Sequence, residues 1–273
     1  MAGYEIKPSG WLTFDFRELY HFRELFLFMT WRDIKVKYKQ TFLGLAWVVL
    51  QPLALMAIFT VIWLKVMKPA ELDIPYPLFA YSGLVFWGLF SSGISGAGES
   101  MISNANIIKK IYFPRIIIPA SAALTALFDF VVTLFLLVLL ILYYHINVSI
   151  LRFTGLFSLS IMITMAASFG TGLIVSAATI RYRDFRYVMP FFLQAFFFVS
   201  PVVYPLALFS SDSLRIVLSL NPLAGAVTLA RAAITGNPAN WQGIFPGTLM
   251  TVFLLVAGLT LFRRNESSYS DLL

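Results

Sequence analysis

Long uncharged stretches dominate the chain and indicate its structural class. Four of them, at 42–64, 77–98, 116–144 and 153–180, contain 22 to 29 residues each, and the third is interrupted only by Asp129. An α-helix needs roughly 20 apolar residues to cross about 30 Å of hydrocarbon. Each stretch therefore predicts one transmembrane helix.

The later part of the chain is less regular. Residues 187–211 are uncharged but contain three prolines, which predicts a broken fifth span. Residues 216–230 form a shorter apolar run around the pair Asn221-Pro222, and this run predicts short helices at the surface. After a turn-forming Gly-Asn-Pro sequence, residues 243–262 supply a sixth span.

Together these patterns predict an all-α integral membrane protein with six transmembrane helices. The predicted spans are 42–64, 77–100, 116–144, 153–180, 187–210 and 243–262. The predicted segments outside them are a cytoplasmic N-terminus at 1–41 with an interfacial amphipathic helix, a cytoplasmic helix at 103–115, short extracytoplasmic (periplasmic) helices at 211–235 and a cytoplasmic tail at 263–273.

The basic residues are distributed unevenly between the two sides of this predicted bundle. The net charge is +7, and 15 of the 20 lysines and arginines lie near the termini or in the loops after spans two and four. Membrane proteins concentrate Lys and Arg in their cytoplasmic loops. We therefore expect both termini in the cytoplasm, and the positive charge requires no nucleic-acid partner.

Composition and missing motifs exclude several kinds of chemistry. The chain is 59% apolar, has no cysteine and has only two histidines, which lie far apart in the sequence. Thiolate metal sites and cysteine nucleophiles are therefore excluded. The sequence also lacks a Gly-x-x-x-x-Gly-Lys-Ser/Thr phosphate loop, a His-x-x-x-His pair and a Gly-x-Ser-x-Gly elbow. We predict no catalytic residues, no metal site and no ATP hydrolysis by this chain alone.

An amphipathic pattern precedes the first span. Phe22, Leu25, Phe26 and Met29 follow the i, i+3, i+4, i+7 spacing of one helix face, and lysines and arginines follow them. This pattern predicts a helix that lies in the membrane interface with its apolar face toward acyl chains. The helix is either a passive anchor or a moving part.

The loop after span two contains a second short pattern. Asn104 is a candidate N-cap, Lys109 and Lys110 fall in the last turn, and Pro114 ends the predicted helix over 103–115. Its isoleucines and Phe113 form an apolar side that suits a protein partner. The alternative is a loop that fixes orientation by its charge.

One carboxylate lies deep inside a predicted span. Asp129 shares a four-residue spacing with Ser121, Thr125 and Thr133, and this polar stripe suits hydrogen bonds to an adjacent helix. An ionisable residue at membrane depth also suggests proton or ion coupling, which is the alternative.

Small residues recur at the same spacing in spans two and four. Such residues let helix backbones approach closely in lipid, so they predict packing contacts. They are Gly88, Ser92 and Gly96 in span two, and Ser168, Gly172 and Ser176 in span four.

Four motifs, in their order and spacing, resemble those of ABC exporter permeases for polysaccharides. The resemblance covers nearly the whole chain, including the N-terminal helix and six spans. Members of this family export lipid-linked O-antigen or capsular chains, or teichoic acids. The motifs are Asn106-Ile-Ile-Lys-Lys-Ile-Tyr-Phe-Pro-Arg115, Arg181-Tyr-Arg-Asp-Phe185, Ser200-Pro-Val-Val-Tyr-Pro205 and Leu220-Asn-Pro-Leu-Ala224.

The resemblance implies a homodimer that works with two copies of a separate cytoplasmic ATPase, which binds the ATP and Mg. The cargo would be a glycan tethered to undecaprenyl diphosphate, moved across the bacterial inner membrane. The N-terminal helix would form part of a cytoplasmic gate, and residues 211–235 would lie at the periplasmic exit. The residues that would couple to the ATPase are Asn106, Lys109, Lys110, Phe113 and Arg115.

Physical chemistry adds candidates for the transport path. A glycan rich in hydroxyl groups cannot cross hydrocarbon without polar partners, and one six-span bundle is small for a pore, so we expect a conduit between two copies. Arg181 and Arg183 are candidates to hold the diphosphate, with topology marking as the alternative. Sugar rings stack on aromatic faces, and the candidate channel-lining residues are Trp47, Gln51, Phe191, Gln194, Phe198 and Tyr204.

Three other functions are consistent with parts of the sequence. One is an ABC permease for a drug or a lipid, which shares the predicted fold. Another is an ion-coupled secondary transporter that uses Asp129. The last is a membrane glycosyl or acyl transferase, which the absence of a catalytic cluster disfavours.

Overall fold

The structure is a computed structural model that describes residues 20–39, 41, 44–66, 72–209, 211–266 and 269. Helix makes up 82% of it, and no strand occurs in those ranges. Predictions for residues 1–19, for Phe42 and for 270–273 lie outside the described residues. The helices are α1 (Arg23–Tyr38), α2 (Leu45–Val66), α3 (Tyr76–Ser103), α4 (Ala105–Ile108), α5 (Ile117–Tyr143), α6 (Ile150–Arg181), α7 (Phe185–Val199), α8 (Asp212–Ser219), α9 (Pro222–Thr235) and α10 (Trp241–Arg264).

Five of the described helices are long and apolar enough to cross a membrane. They are α2, α3, α5, α6 and α10, and a sixth span exists only if α8 and α9, which are bent by 94° to each other, count as one. Five of the six predicted spans are therefore each formed by one long helix. The chain is a multi-pass membrane protein.

The predicted fifth span, 187–210, is shorter than the sequence suggested. Its helix, α7, has 15 residues and ends at Val199. Ser200 has an extended backbone (ψ 139°) because the following Pro201 disfavours the helical conformation of the residue before it. The apolar composition was read correctly, but a proline converts the second half of the stretch into turns.

Residues 211–235, which were predicted to form short helices, contain α8 and α9, but α9 is not at the surface. The Asn221 side chain accepts the backbone N–H of Leu223 at 2.9 Å and caps the start of α9. Gly236 ends the helix with a left-handed backbone (φ 77°). Leu223 and Leu229 are completely buried, because α9 packs between α6 and α10. The side of the membrane on which these helices lie stays a prediction.

Helix α3 is the centre of the bundle and packs against both α5 and α6. Phe86 of α3 contacts Phe130 of α5 and Phe157 of α6, each with ring centroids 5.3 Å apart in an edge-to-face arrangement. Such aromatic pairs contribute about 0.5–1.5 kcal/mol beyond the area they bury. The long central helix is thus held on two sides by aromatic side chains.

Ser168 and Gly172 of span four make the predicted close contacts with α3, but Gly88 and Gly96 of span two do not pack on α6. A Cβ at Gly172 of α6 would lie 2.7 Å from Ala97 of α3, and Ser168 donates to the carbonyl of Phe90 at 3.3 Å. A Cβ at Gly88, in contrast, would have no neighbour within 4 Å. The face of α3 that packs on α6 is therefore rotated by about one residue from the predicted one. Gly88 faces open space, and a Cβ at Gly96 would lie 3.5 Å from that of Ala122 on α5.

Helix α1 packs its predicted apolar face against protein, not against lipid. Met29 is buried, and Phe22, Leu25 and Phe26 pack around the same cluster. Other apolar side chains of α1 point outward, so the predicted separation into an apolar and a polar face is not confirmed. These exposed residues are Leu27, Phe28, Trp31 and Val36.

One hydrophobic cluster joins α1 to the ends of α3, α6 and α10 and to the loop after α4. We name it the basic-end cluster, because α1, the loop after α4 and the ends of α6 and α10, which together contain most of the described lysines and arginines, meet at it. This end of the bundle is the basic end, and the opposite end is the far end. The cluster consists of Met29, Met101, Ile108, Phe113, Ile116, Ile117, Ile118, Leu173, Ile180, Phe262 and Tyr269.

Candidate functional site

Asp129 pairs with two residues at the C-terminal end of α1. Lys37 Nζ lies 2.5 Å from Asp129 Oδ2, and the Tyr38 hydroxyl donates to Asp129 Oδ1. The Asp129 side chain is 11% exposed and that of Lys37 is 44% exposed. A carboxylate in the body of α5 thus has a cation and a hydroxyl donor from a helix about 90 residues earlier in the chain.

The hydroxyl groups of the predicted polar stripe do not reach another helix. Ser121 donates to the carbonyl of Ile118, Thr125 to that of Ser121 and Thr133 to that of Phe130, all within α5. Ser and Thr commonly satisfy their hydroxyls in this way inside helices. The prediction of hydrogen bonding to an adjacent helix is therefore wrong for these hydroxyl groups, although the Thr133 carbonyl accepts from the Tyr81 hydroxyl of α3 at 3.1 Å. Asp129 alone of the stripe bonds to α1.

The environment of Tyr38 keeps it a proton donor. Burial raises the pKa of Tyr38, and its hydrogen bond to Asp129 raises the pKa further. The phenol is therefore neutral at physiological pH and can donate to the carboxylate.

Two cavities meet at this ion pair. The first, of about 630 Å³, opens at the basic end between α1, α3 and α5, and its polar lining includes Arg32, Glu99 and Asn106. The second, of about 220 Å³, is lined by α2, α3 and α5. Lys37 and Ser92 line both cavities. We name the two together the basic-end cleft, and the Lys37–Asp129 pair lies where its halves join.

The small residues of α3 that do not pack on α6 line this cleft instead. Gly88 borders the second cavity, Gly96 borders the first, and Ser92 borders both. Small side chains at these positions leave room between α3 and its neighbours, so the pattern that predicted packing in fact marks the cleft.

A second polar contact fixes α1 to the end of α3. Arg32 Nη2 donates to Asn104 Oδ1 at 2.7 Å, and Asn104 Nδ2 donates to the carbonyl of Ser100 at 2.8 Å. Asn104 occupies the N-cap position of α4, but its side chain makes no capping hydrogen bond. The predicted capping role of Asn104 is therefore wrong, because its side chain binds the arginine of α1.

The loop after span two contains less helix than predicted. Helix α4 ends at Ile108, and residues 109–116 form turns. Phe113 is only 4% exposed because it inserts into the basic-end cluster, and Pro114 disfavours a helical conformation at Phe113. The predicted helix over 103–115 is therefore limited to one turn before this anchor.

The predicted coupling residues occupy different environments. Asn106 lines the basic-end cleft, whereas Lys109 and Lys110 are exposed and border a shallow cavity of about 210 Å³. Phe113 is buried, and Arg115 is half-buried. The exposed part of the loop is completed by Ile111, one of the isoleucines of the predicted apolar side, and by Tyr112. Their side chains are 60% and 63% exposed.

The predicted diphosphate residues, Arg181 and Arg183, are exposed and do not line the cleft. The guanidinium of Arg181 lies 5.5 Å from the ring centroid of Tyr182. Arg186, in the same loop, lies nearer the cleft, because its Nε is 3.6 Å from Oε1 of Glu99. The sequence showed a charge-dense loop but gave no sign of which arginine faces the cleft.

The predicted channel-lining residues form two separate groups. Trp47 and Gln51, four residues apart on α2, line the second cavity together with Asp129. The others belong to α7 and the turn after it: Phe191, Gln194 and Phe198 are exposed on α7, and the Tyr204 hydroxyl donates to the carbonyl of Phe198 at 3.0 Å.

Helices α2 and α7 lie on the same side of α3. Phe59 of α2 and Phe197 of α7 have ring centroids 5.9 Å apart, and Trp87 of α3 lies 5.2 Å from Phe197. Beyond this aromatic contact, most of the surface of both helices is exposed. The two groups of candidate lining residues therefore flank one face of the chain.

The far end contains a partly buried arginine, Arg231, that the sequence analysis counted only for orientation. The Arg231 guanidinium donates to the carbonyls of Pro201 and Val202 at 3.1 and 2.6 Å and to that of Phe79 at 3.1 Å. It also lies 3.5 Å from the centroid of the Phe79 ring. A lone arginine in an apolar helix is a signal that could have identified it.

The turn that this arginine binds is where two of the quoted sequence motifs meet. Asn221 Nδ2 donates to Ser200 Oγ at 2.8 Å, which joins the Ser200–Pro205 turn to the start of α9. Gly83 permits the close approach of the turn, because a Cβ there would lie 2.2 Å from the carbonyl oxygen of Val202. The far end is thus tied together by polar contacts to backbone carbonyls.

The residues that the structure describes contain no group of three or more His, Asp or Glu side chains arranged for a metal ion. The charged groups of the basic-end cleft instead pair with one another, as in Lys37–Asp129 and Arg186–Glu99. The arrangement can bind and guide a polar cargo, and it offers no nucleophile next to a base.

Comparison with known proteins also indicates a transport protein. The family described as ABC-2 type transporter matches residues 24–235. An O-antigen export system permease protein RfbA of Myxococcus xanthus is 26% identical over 264 residues, which are 93% of this chain and 97% of the relative. RfbA of Klebsiella pneumoniae is 28% identical over 251 residues, covering 92% and 95%. The polysialic acid transport protein KpsM of Escherichia coli is 27% identical over 247 residues, covering 87% and 92%.

Proposed function

The chain belongs to the ABC-2 type transporter family, and we propose that it is the membrane-spanning permease subunit of an exporter for lipid-linked polysaccharide. The cargo would pass from the cytoplasm across the bacterial inner membrane. Similarity to an O-antigen export permease and to a polysialic acid transport protein, over nearly the full length of each, carries this proposal. A drug or lipid substrate would fit the same fold but not these relatives.

The positions of α2 and α7 support a conduit between two copies of the chain. Each hydroxyl of a glycan needs a polar partner inside the membrane, and in one copy the basic-end cleft supplies polar side chains from α1, α2, α3 and α5. A two-fold related copy facing the side of α3 that holds α2 and α7 would enclose Trp47, Gln51, Phe191 and Gln194. These side chains supply aromatic faces and amide groups that suit sugars.

The basic-end cleft supports admission of the charged end of the cargo. We propose that the basic end of the bundle and both termini face the cytoplasm, because the lysines and arginines are concentrated there. The diphosphate of an undecaprenyl carrier would approach Arg181 and Arg183 on the exposed loop and then Arg186 at the edge of the cleft.

The exposed loop of Lys109, Lys110, Ile111 and Tyr112 supports contact with a separate ATPase. Two cations beside two exposed apolar side chains form a surface that suits an acidic and apolar groove on a partner protein. Phe113 anchors this surface from below and does not itself reach the partner. ATP and Mg would bind the ATPase, because this chain has no phosphate loop.

Reconstitution of the complex tests the proposal. The chain is expressed with candidate ATPases, purified and placed in liposomes, and ATP turnover is measured with and without undecaprenyl-diphosphate-linked glycan. We expect the glycan to stimulate turnover and to appear in the lumen. Reversing the charge of Lys109 and Lys110 together is expected to lower stimulated turnover about tenfold, as for other interfacial charge pairs.

Lys65→Glu is the matched control, because Lys65 is an exposed lysine at the far end of the bundle. It should leave stimulated turnover unchanged. Glycan transport by the chain without any ATPase, or stimulation by a drug and not by the glycan, would contradict the proposal.

A further inference from the structure

Glu266 and Tyr269, which follow α10 and which we name the C-terminal segment, lie against the loop that follows α4. The backbone N–H of Arg115 donates to Glu266 Oε1 at 3.1 Å, and the Arg115 guanidinium donates to the backbone carbonyl of Glu266. One residue of the C-terminal segment thus receives two hydrogen bonds from one residue of the loop, 151 positions earlier in the chain.

Tyr269 reinforces this connection from inside the basic-end cluster. It is 1% exposed and belongs to the same cluster as Phe113. Its ring centroid lies 5.1 Å from that of Phe262, and its hydroxyl donates to the carbonyl of Phe262 at 2.9 Å. Burial raises the pKa of Tyr269, and the nearby Glu266 adds to the effect, so the phenol stays a neutral donor.

The loop needs such support because it has little regular structure of its own. Helix α4 has four residues, and residues 109–116 form turns. A segment without a continuous helical hydrogen-bond pattern takes its geometry from tertiary contacts. Phe113 and Arg115 are its anchored residues, and both are held next to the C-terminal segment.

We propose that Glu266 and Tyr269 are positioning residues that hold the exposed surface of residues 109–112 in the geometry that the ATPase requires. This inference rests on the proposed function, since it assigns that surface to the ATPase. Helix α10, which precedes the segment, packs closely on α6 at Gly258 and Gly170. The contact therefore ties the coupling surface to the last span, so that motion of one is transmitted to the other.

Mobility of the loop gives a test that needs no partner protein. The chain has no cysteine, so a spin label on Ile111→Cys reports this position alone. We expect Glu266→Ala and Tyr269→Ala to increase the mobility of the label in the full chain in liposomes. Asn265→Ala is the control, because that side chain donates to the carbonyl of Leu261 in its own helix.

Coupling is then measured in the complex with its ATPase, as glycan exported per ATP hydrolysed. The two alanine variants are expected to lower this ratio about tenfold, a change that corresponds to the free energy of about one lost hydrogen bond. Glu266→Gln retains an acceptor oxygen and Tyr269→Phe retains the ring, so both should stay within about twofold of the unmodified chain. A purely structural role would lower the amount of complex but not the ratio.

Unchanged label mobility in both alanine variants would overturn the proposal, as would increased mobility with an unchanged ratio. If Tyr269→Ala does not fold, Glu266→Ala decides, because Glu266 lies at the edge of the cluster and is only half-buried. If the unmodified complex shows no glycan-stimulated turnover, the proposed function fails, and label mobility still decides whether the C-terminal segment holds the loop.

Discussion

Replacing Asp129 by Asn should loosen α1 from the bundle and open the basic-end cleft. The substitution removes the charge that attracts Lys37 but leaves an oxygen that accepts from Tyr38. Lys37 would then cover the junction of the two cavities less firmly. The expected result is a larger population in which reagents reach Ser92, which lines both cavities.

The exposure of the Asp129 and Lys37 side chains determines how much free energy the substitution costs. Removing one partner of a fully buried ion pair costs about 3–5 kcal/mol, whereas an exposed pair contributes about 0.2–1 kcal/mol. Here the carboxylate is 11% exposed and the lysine 44%, and Tyr38 keeps an acceptor. We therefore expect a loss of about 1–2 kcal/mol, which raises the open population about fivefold to thirtyfold.

The rate at which a membrane-impermeant maleimide modifies Ser92→Cys measures this population. The cysteine-free chain makes the label specific, and the rate follows the open fraction when opening and closing are fast. Lys37→Met should raise the rate more than Asp129→Asn, because it leaves a carboxylate without its cation. The double variant should resemble Asp129→Asn alone, since the two residues act on the same contact.

Asp33→Asn is the matched control for charge in the cleft. Asp33 lines the first cavity and pairs with its neighbour Arg32 on α1, so its loss should change the rate less than twofold. An unchanged rate in Asp129→Asn, or an equal rise in Asp33→Asn, would refute the reasoning. Proton-driven transport without an ATPase, abolished by Asp129→Asn, would instead favour an ion-coupled secondary transporter.

Three further substitutions test the packing of the bundle. Gly258→Leu should lower the unfolding temperature strongly in detergent, because a Cβ there would lie 2.2 Å from the carbonyl oxygen of Gly170. Gly88→Ala is the control and should leave the unfolding temperature unchanged, because its Cβ would meet open space. Asn221→Ala removes the cap of α9 and a buried hydrogen bond, and it should cost about 1–2 kcal/mol in reversible unfolding. Arg231→Met should increase proteolysis of the far-end turn, because three carbonyls lose their donor, and equal cleavage rates would contradict this role.

The sequence alone determined the membrane class, most of the spans and the family resemblance. Span length and the distribution of lysine and arginine are properties of consecutive residues, so they can be read before folding. The sequence also contained the signal for the end of α7, the pair Ser200-Pro201. The uncharged run extended past this pair, so the predicted span was too long. Local composition indicates that a segment is apolar more reliably than it indicates where a helix stops.

Only the tertiary structure decided which faces meet. The spacing of Phe22, Leu25, Phe26 and Met29 defined one side of α1, but lipid and a protein cluster are equally good partners for apolar side chains. Phe113 likewise had the composition of a docking residue, and its burial follows from the cluster that surrounds it.

The basic-end cleft and its ion pair could not be predicted from the sequence, for the same reason. Lys37 and Asp129 are 92 positions apart, and Arg115 and Glu266 are separated by 151. A helix sequence repeats with a period of 3.6 residues whether or not a neighbour is present, so it defines the faces of each helix. Which face touches which neighbour depends on how all the helices pack at once, and that packing brings the charged pairs together.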